Sequence, residues 1–299
     1  MCENLPSRRL ILVHAHPDDE SITSGATMAK YVAEGAQVTL VTCTLGEEGE
    51  ILIPEMAHLA AGLEDKLGQH RITELDAAMK ELNVTDWRLL GGPGTFRDSG
   101  MIGTTANERK DNFWQTDLLV ATKHLVKIIR EMKPQVLITY DDFGGYGHPD
   151  HIQAHRVATY AVTLAAAPTF ELELGEPWEV QKVYWTAFPK SVIRAGITEL
   201  KAAGDTSEFA AQDPNSIPFA CDDELITTVI DAGDFAEAKV AALKAHVTQI
   251  SMEDGFFALS NNLGSRILGS EYYRLAKGEK TGPFNDAGQE NDLFNGVAS

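Results

Sequence analysis

Short apolar runs alternate along the first two thirds of the chain with longer stretches in which apolar side chains recur every three or four positions. Leu10-Ile11-Leu12-Val13 reads as a strand buried on both faces, and the first strand is predicted over 9–15. Residues 20–34 put Ile22, Ala26, Ala29 and Ala33 on one helical face and stop at Gly35. A second strand is predicted over 37–43, a helix over 64–82 and a short strand over 87–90. Trp114, Leu118, Leu125, Ile129 and Met132 mark a further helix closed by Lys133-Pro134. A strand over 135–140, a helix over 150–166 and a strand over 180–188 follow. Such alternation is the signature of right-handed βαβ units, so an α/β fold with a mostly parallel sheet flanked by helices is expected.

Residues 1–190 are read as the core carrying the site, and 191–299 as a smaller C-terminal α/β region that completes the pocket. In that region 191–203 look helical, and 217–231 read as a hairpin or strand pair around Cys221. Val240, Leu243, Val247 and Ile250 mark one more helix. From Gly282 onward the chain is polar and is expected to be loosely held. The Gly-rich stretch from Gly91 to about Lys110 is too long for a plain connector.

Two turns carry the chemistry. His14-Ala15-His16-Pro17-Asp18-Asp19-Glu20 follows the first strand, and Gly147-His148-Pro149-Asp150-His151 lies beyond the fourth. Proline followed by acids is an ordinary helix start, but that leaves the imidazoles unexplained. In open α/β sheets, sites form beyond the carboxyl ends of strands where the strand order reverses. A metal shared by the two turns accounts for both sets of imidazoles. The first strand lacks a G-x-G-x-x-G turn, which disfavours a dinucleotide.

Composition narrows the partners. With 25 basic and 44 acidic side chains the formal net charge is −19, so nucleic acid and anionic membrane surfaces are poor partners and a small molecule fits better. The three cysteines are unpatterned, with Cys43 read as a small core hydrophobe. Neither a secretory leader nor a membrane-spanning stretch is read, and a cytoplasmic location is expected.

An open two-His-one-carboxylate site suits catalytic zinc, and His16, Asp19 and His151 are assigned to it. Asp18 then projects from the same turn to take a proton from water, and His148, in its charged form, serves as acid or oxyanion stabiliser with Asp150 holding its tautomer. These parts match hydrolysis of an acyl–nitrogen bond. The same ligand set also suits Fe(II), as a metal for the hydrolase or in a non-haem oxygenase; the layout and the free Asp18 argue against the oxygenase. His14 is read as buried and hydrogen-bonded behind the site, His155 as packing or surface, and Glu47, Glu48 and Glu50 as solvated by default. His246, Asn261 and Asn262 are read as structural.

The paired motifs resemble the zinc-dependent N-acetylglucosaminyl deacetylase family, which includes the GPI-anchor de-N-acetylase. Val41 to Glu50, Phe96 to Met101, Gly144 to His151 and Leu259 to Leu263 are similar to its mycothiol-pathway branch. The resemblance implies a Rossmann-like fold, a zinc ion and removal of acetate from the N-acetylglucosamine of a glucosaminyl-inositol. It implies zinc ligation by His16, Asp19 and His151, a general base at Asp18, and an oxyanion-stabilising acid at His148 oriented by Asp150. It further implies a mobile tyrosine at Tyr146, and hydroxyl-holding groups at Arg71 and Asp98. The related amidase of mycothiol S-conjugates shares the metal motifs; the Glu47-Glu48-Gly49 and Phe96-Arg97-Asp98 stretches favour the deacetylase.

Overall fold

A computed structural model describes residues 7–251 and 269–298; Asn261 and Asn262 and the stretch around them lie outside the described residues. In chain order the elements are β1 Arg9–His14, α1 Asp19–Ala33, β2 Gln37–Thr42, α2 Leu67–Glu81, β3 Asp86–Leu89, α3 Leu118–Met132, β4 Val136–Thr139, the single turn α4 Gly144–Gly147, α5 Pro149–Ala166 and β5 Lys182–Pro189. They continue with α6 Lys190–Ala202, the short α7 Glu208–Ala211, β6 Ala220–Cys221, β7 Thr228–Asp231, α8 Ala236–Ala245 and β8 Ser270–Lys277.

One mixed sheet runs β3-β2-β1-β4-β5-β8-β7, with β6 beside β5. Strands β1 to β5 pair in parallel, and β8 is antiparallel to both β5 and β7. The order reverses between β1 and β4, so the two His-Pro-Asp turns leave adjacent strands at the switch point. Alternation along β1 explains its unbroken apolar run. Ile11 and Val13 face a core shared with α3 and α5, while Leu10 and Leu12 face one shared with α1, α2 and α8. Helix α3 starts at Leu118 rather than at Trp114, because the Asp117 carboxylate accepts the amides of Leu119 and Val120. It ends at Lys133, in the left-handed conformation before Pro134.

Three expectations for the C-terminal third need correction. Residues 217–231 do not form a hairpin: β6 pairs with β5, and β7 pairs with β8. Helix α8 stops at Ala245, short of Val247 and Ile250. Beyond it, buried Glu20 accepts from His246, and buried Glu74 takes the amide and hydroxyl of Thr248, so polar partners override the apolar period. The stretch from Gly282 is firmly seated. The buried Glu290 carboxylate accepts from Lys182, Tyr184 and Thr228, and the Leu293 amide donates to the Tyr31 hydroxyl at 2.8 Å.

Candidate metal centre and its pocket

The peptide around Asp18 is unusual. Asp18 adopts φ 128°, outside the comfortable range of an L-residue, a strain of roughly 1–3 kcal/mol that persists only where surroundings enforce it. As the residue before α1 it would ordinarily cap the helix with its carboxylate, but no such bond forms. The carboxylate instead faces Arg71, whose Nη2 donates to Asp18 Oδ2 at 2.9 Å and to the Pro17 carbonyl, and whose Nη1 donates to the Gly46 carbonyl at 2.9 Å. Burial pushes the Asp18 carboxyl up to about 6, with Arg71 opposing.

Beside Asp18, three side chains from the two turns converge. His16 Nδ1 lies 3.4 Å from Asp19 Oδ2, His151 Nε2 lies 3.4 Å from Asp19 Oδ1, and the two ring nitrogens are 3.3 Å apart. All three residues are buried. A tetrahedral cation bonded at about 2.0–2.1 Å has ligand–ligand edges of about 3.3–3.4 Å, which the two imidazole nitrogens match, while Asp19 presents a different oxygen to each of them. His151 is turned by its own strand-to-helix turn: its Nδ1 meets the Gly144 carbonyl at 3.1 Å, leaving Nε2 to face the site. Gly144 has φ +67°, and a Cβ there would lie 2.6 Å from that of His151, so only glycine fits. Tyr140 stacks on the other face of His151 with centroids 4.2 Å apart, and its hydroxyl accepts the Ala15 amide at 2.8 Å.

The electrostatics also suit a cation. Burial opposes ionisation of Asp19, yet the neighbouring His151 and His16 hold its carboxyl well below the usual range. Burial lowers His151 to about 4, leaving a neutral ring with a free lone pair. Burial works against charge on His16 too, but Asp98, Asp150 and Asp19 together raise it well above the ordinary value. Other donor groupings are close as well, His16 with His148 and His151, and His16 with Asp98 and Asp150. Of their extra members, Asp150 and Asp98 approach the other nitrogen of His16, Nε2, at 3.2 and 3.7 Å. His148 Nδ1 accepts the Asp150 amide at 3.1 Å, and Asp98 accepts the amides of Glu48 and Gly100 at 3.1 and 2.8 Å.

Two roles differ from expectation. The Asp150 carboxylate is not turned toward His148. Its Oδ2 accepts the Ser99 amide at 2.9 Å and sits 3.2 Å from His16 Nε2, and its Oδ1 accepts the Ser99 hydroxyl. Asp150 thus orients His16 through its side chain and His148 through its backbone. The surroundings of His148 also disfavour its charged form: burial, then His16 and His151, lower it to about 3. With Nδ1 accepting, the proton of the neutral ring sits on Nε2.

Around this floor lies a cavity of about 610 Å³, lined by His16, Asp18, Asp19, Arg71, Asp98, His148 and His151, and also by Glu48, Met101, Tyr146, Phe188, Phe219, Cys221 and Arg274. Tyr146 is 40% exposed, its ring 4.9 Å from that of His151. Arg71 is only 2% exposed and spends its described bonds on the chain itself, leaving Nε without a partner among the described residues. Glu47 and Glu48 are not simply solvated: Glu47 is buried and accepts the Asp98 amide, and Glu48 pairs with Arg97 at 2.8 Å. His14 is buried against Tyr140, but neither ring nitrogen has a hydrogen-bond partner among the described residues. His155 meets the Tyr140 carbonyl at 3.0 Å and packs edge-on against Trp185. Sequence reasoning assigned no role to Ser99 or Glu20. Both stand inside the motifs already singled out, which was the available signal.

Imidazoles and carboxylates gathered at the switch point of an α/β sheet, beside the Arg71-paired carboxylate of Asp18, are the donor set of a metal-dependent enzyme. Residues 11–162 match the family described as PIG-L: GlcNAc-PI de-N-acetylase, and the chain belongs to that family. It is an N-deacetylase, a hydrolase of a linear amide bond. A 1D-myo-inositol 2-acetamido-2-deoxy-alpha-D-glucopyranoside deacetylase of Geodermatophilus obscurus is 58% identical, with 98% of this chain and 99% of the relative covered. The protein of the same name from Kribbella flavida is 56% identical over 98% and 99% of the two chains. Among solved structures, N,N'-diacetylchitobiose deacetylase from Pyrococcus horikoshii shares the fold, with a TM-score of 0.60 at 18% identity over 90% of this chain and 83% of that one. No helix among the described residues is long and apolar enough to cross a membrane.

Proposed function

We propose that the chain removes acetate from the N-acetylglucosamine of 1-O-(2-acetamido-2-deoxy-α-D-glucopyranosyl)-1D-myo-inositol, the deacetylation step of mycothiol biosynthesis, with zinc held by His16, Asp19 and His151. The observation that carries this reading is the convergence of those three side chains, with the two imidazole nitrogens 3.3 Å apart and each 3.4 Å from one oxygen of Asp19, beside an Asp18 carboxylate that caps nothing. The relatives of the same length at more than half identity supply the substrate.

When bound, zinc supplies a Lewis acid and lowers the pKa of water to about 7. Asp18, raised by burial and steadied by Arg71, accepts the proton of the attacking water. The neutral His148 ring hydrogen-bonds through its Nε2–H to the amide oxygen as negative charge develops there, and the proton taken up by Asp18 passes to the departing amine nitrogen as the C–N bond breaks. Asp150 and Ser99 keep His16 turned so that Nδ1 faces the site. Asp98, tied by two backbone amides, and Arg71, paired with Asp18, line the cavity where sugar and inositol hydroxyls are held. Tyr146, at the mouth, covers the reacting carbonyl.

Acetate release from the N-acetylglucosaminyl-inositol, set beside cleavage of a bimane–mycothiol conjugate, tests the reading. Acetate release that tracks zinc content and exceeds conjugate cleavage supports it. Preference for the conjugate makes the enzyme an S-conjugate amidase, and oxygen uptake with a co-substrate makes it an iron oxygenase.

A further inference from the structure

Glu20 is fully buried at the start of α1, yet it is neither one of the proposed ligands nor the base. Its two oxygens do different things. Oε2 accepts the Asp18 amide at 3.0 Å, reaching back over the first turn. Oε1 accepts the Ser21 hydroxyl at 2.6 Å and lies 2.9 Å from Nε2 of His246, which is also fully buried and arrives from the far end of α8. Glu20, the second residue of α1, thus ties the start of the helix back onto the amide of its own cap residue. The Asp18 side chain makes no bond back to the helix, which leaves its carboxylate to Arg71 and the pocket.

The positive φ of Asp18 makes this bond consequential. A side chain in that conformation points where an ordinary helix cap would not send it, and the peptide returns to a common conformation unless it is held. Arg71 grips the Pro17 carbonyl and the carboxylate from the pocket side. Glu20 grips the amide from the core side, and that grip depends on His246. Thr248 on Glu74, and Gln249 on the Glu50 carbonyl at 3.1 Å, anchor the segment that carries His246.

We infer that Glu20 and His246 are a positioning pair that holds the peptide of Asp18 in its strained conformation and so aims the carboxylate at the reacting water. The inference rests on the reading of Asp18 as proton acceptor. Neither residue touches substrate; each acts through Asp18.

The test is a double-mutant cycle on the zinc-loaded, full-length protein, using Glu20→Ala and Asp18→Asn singly and together, with kcat, KM, zinc per chain and Tm measured for each. Misaiming a reacting group by about 1 Å costs about 100-fold, so Glu20→Ala is expected to lower kcat by about 10- to 100-fold, with KM within about threefold and zinc content unchanged. In the Asp18→Asn background the same change is expected to cost less than about twofold, because the group being aimed is gone. Glu20→Gln keeps an oxygen for the Asp18 amide and is expected to recover most of the lost kcat. Equal losses in both backgrounds would overturn the inference by showing a merely structural role. Zinc falling in step with activity would overturn it by placing the effect on Asp19. Full activity of Asp18→Asn alone would instead refute the general-base reading. If Glu20→Ala does not fold, His246→Gln carries the same cycle, with a smaller loss that again vanishes in the Asp18→Asn background; a loss that persists there overturns the inference.

Discussion

Replacing Asp150 by Asn and by Ala separates two things this side chain does for His16. Asp150 Oδ2 lies 3.2 Å from His16 Nε2 and also accepts the Ser99 amide, while Oδ1 accepts the Ser99 hydroxyl. An asparagine with its oxygen in the Oδ2 position keeps the bonds to His16 and to the Ser99 amide, and only the Ser99 hydroxyl must turn. The direction of the imidazole survives and the negative charge does not. A hydrogen bond to a charged group is worth about 1.5–3 kcal/mol and a neutral one about 0.5–1.5, so the expected loss is about 1 kcal/mol, or roughly fivefold in zinc Kd. Alanine removes the direction as well, and loss of such a partner behind a metal ligand typically costs about 10- to 100-fold in affinity. It also leaves the buried Ser99 amide unpaired, about 1–3 kcal/mol of stability, so Tm falls for Ala and barely moves for Asn. Competition against a chromophoric chelator at fixed pH gives the three Kd values. An Ala variant that binds zinc like the parent protein, or an Asn variant that binds more weakly than Ala, would refute the reasoning.

Three further outcomes are expected. Asp18→Asn lowers kcat by about 10²–10⁴ with zinc content near normal, read by acetate release and elemental analysis; full activity would remove Asp18 from the proposed chemistry. His151→Ala lowers zinc occupancy, and an unchanged stoichiometry would show that the ligand set lies elsewhere. Glu290→Ala strands Lys182, which is 3% exposed and paired with Glu290 at 2.6 Å, and costs about 3–5 kcal/mol in denaturant unfolding, while folded protein at low temperature keeps its activity.

What could be read along the chain was what local pattern carries. The apolar run of β1 and the helical period of α3 depend on near neighbours, and so did the strand-to-turn position of both His-Pro-Asp stretches. The meeting of His16 and His151 followed from topology, since β1 and β4 adjoin at the switch point. Where partners lie far apart in sequence the pattern misled. The heptad-like spacing of Val240, Leu243, Val247 and Ile250 continues past Ala245, but His246 and Thr248 are drawn away by Glu20 and Glu74. The polar composition after Gly282 concealed a buried carboxylate whose partners, Lys182 and Thr228, come from different strands. Asp150 was placed in the right neighbourhood with the wrong bond, because one rotamer decides whether its carboxylate meets His148 or His16. No linear pattern encodes that choice.

The seating of Glu290 bears on how the molecule is made. A nascent chain displays Lys182 well before Glu290 leaves the ribosome, so the inner strands can align while their one buried ammonium still waits for its counter-charge. A chain cut short after Lys277 would carry every strand and every proposed zinc ligand, yet leave Lys182 buried without its counter-charge, and would be a poor enzyme through instability.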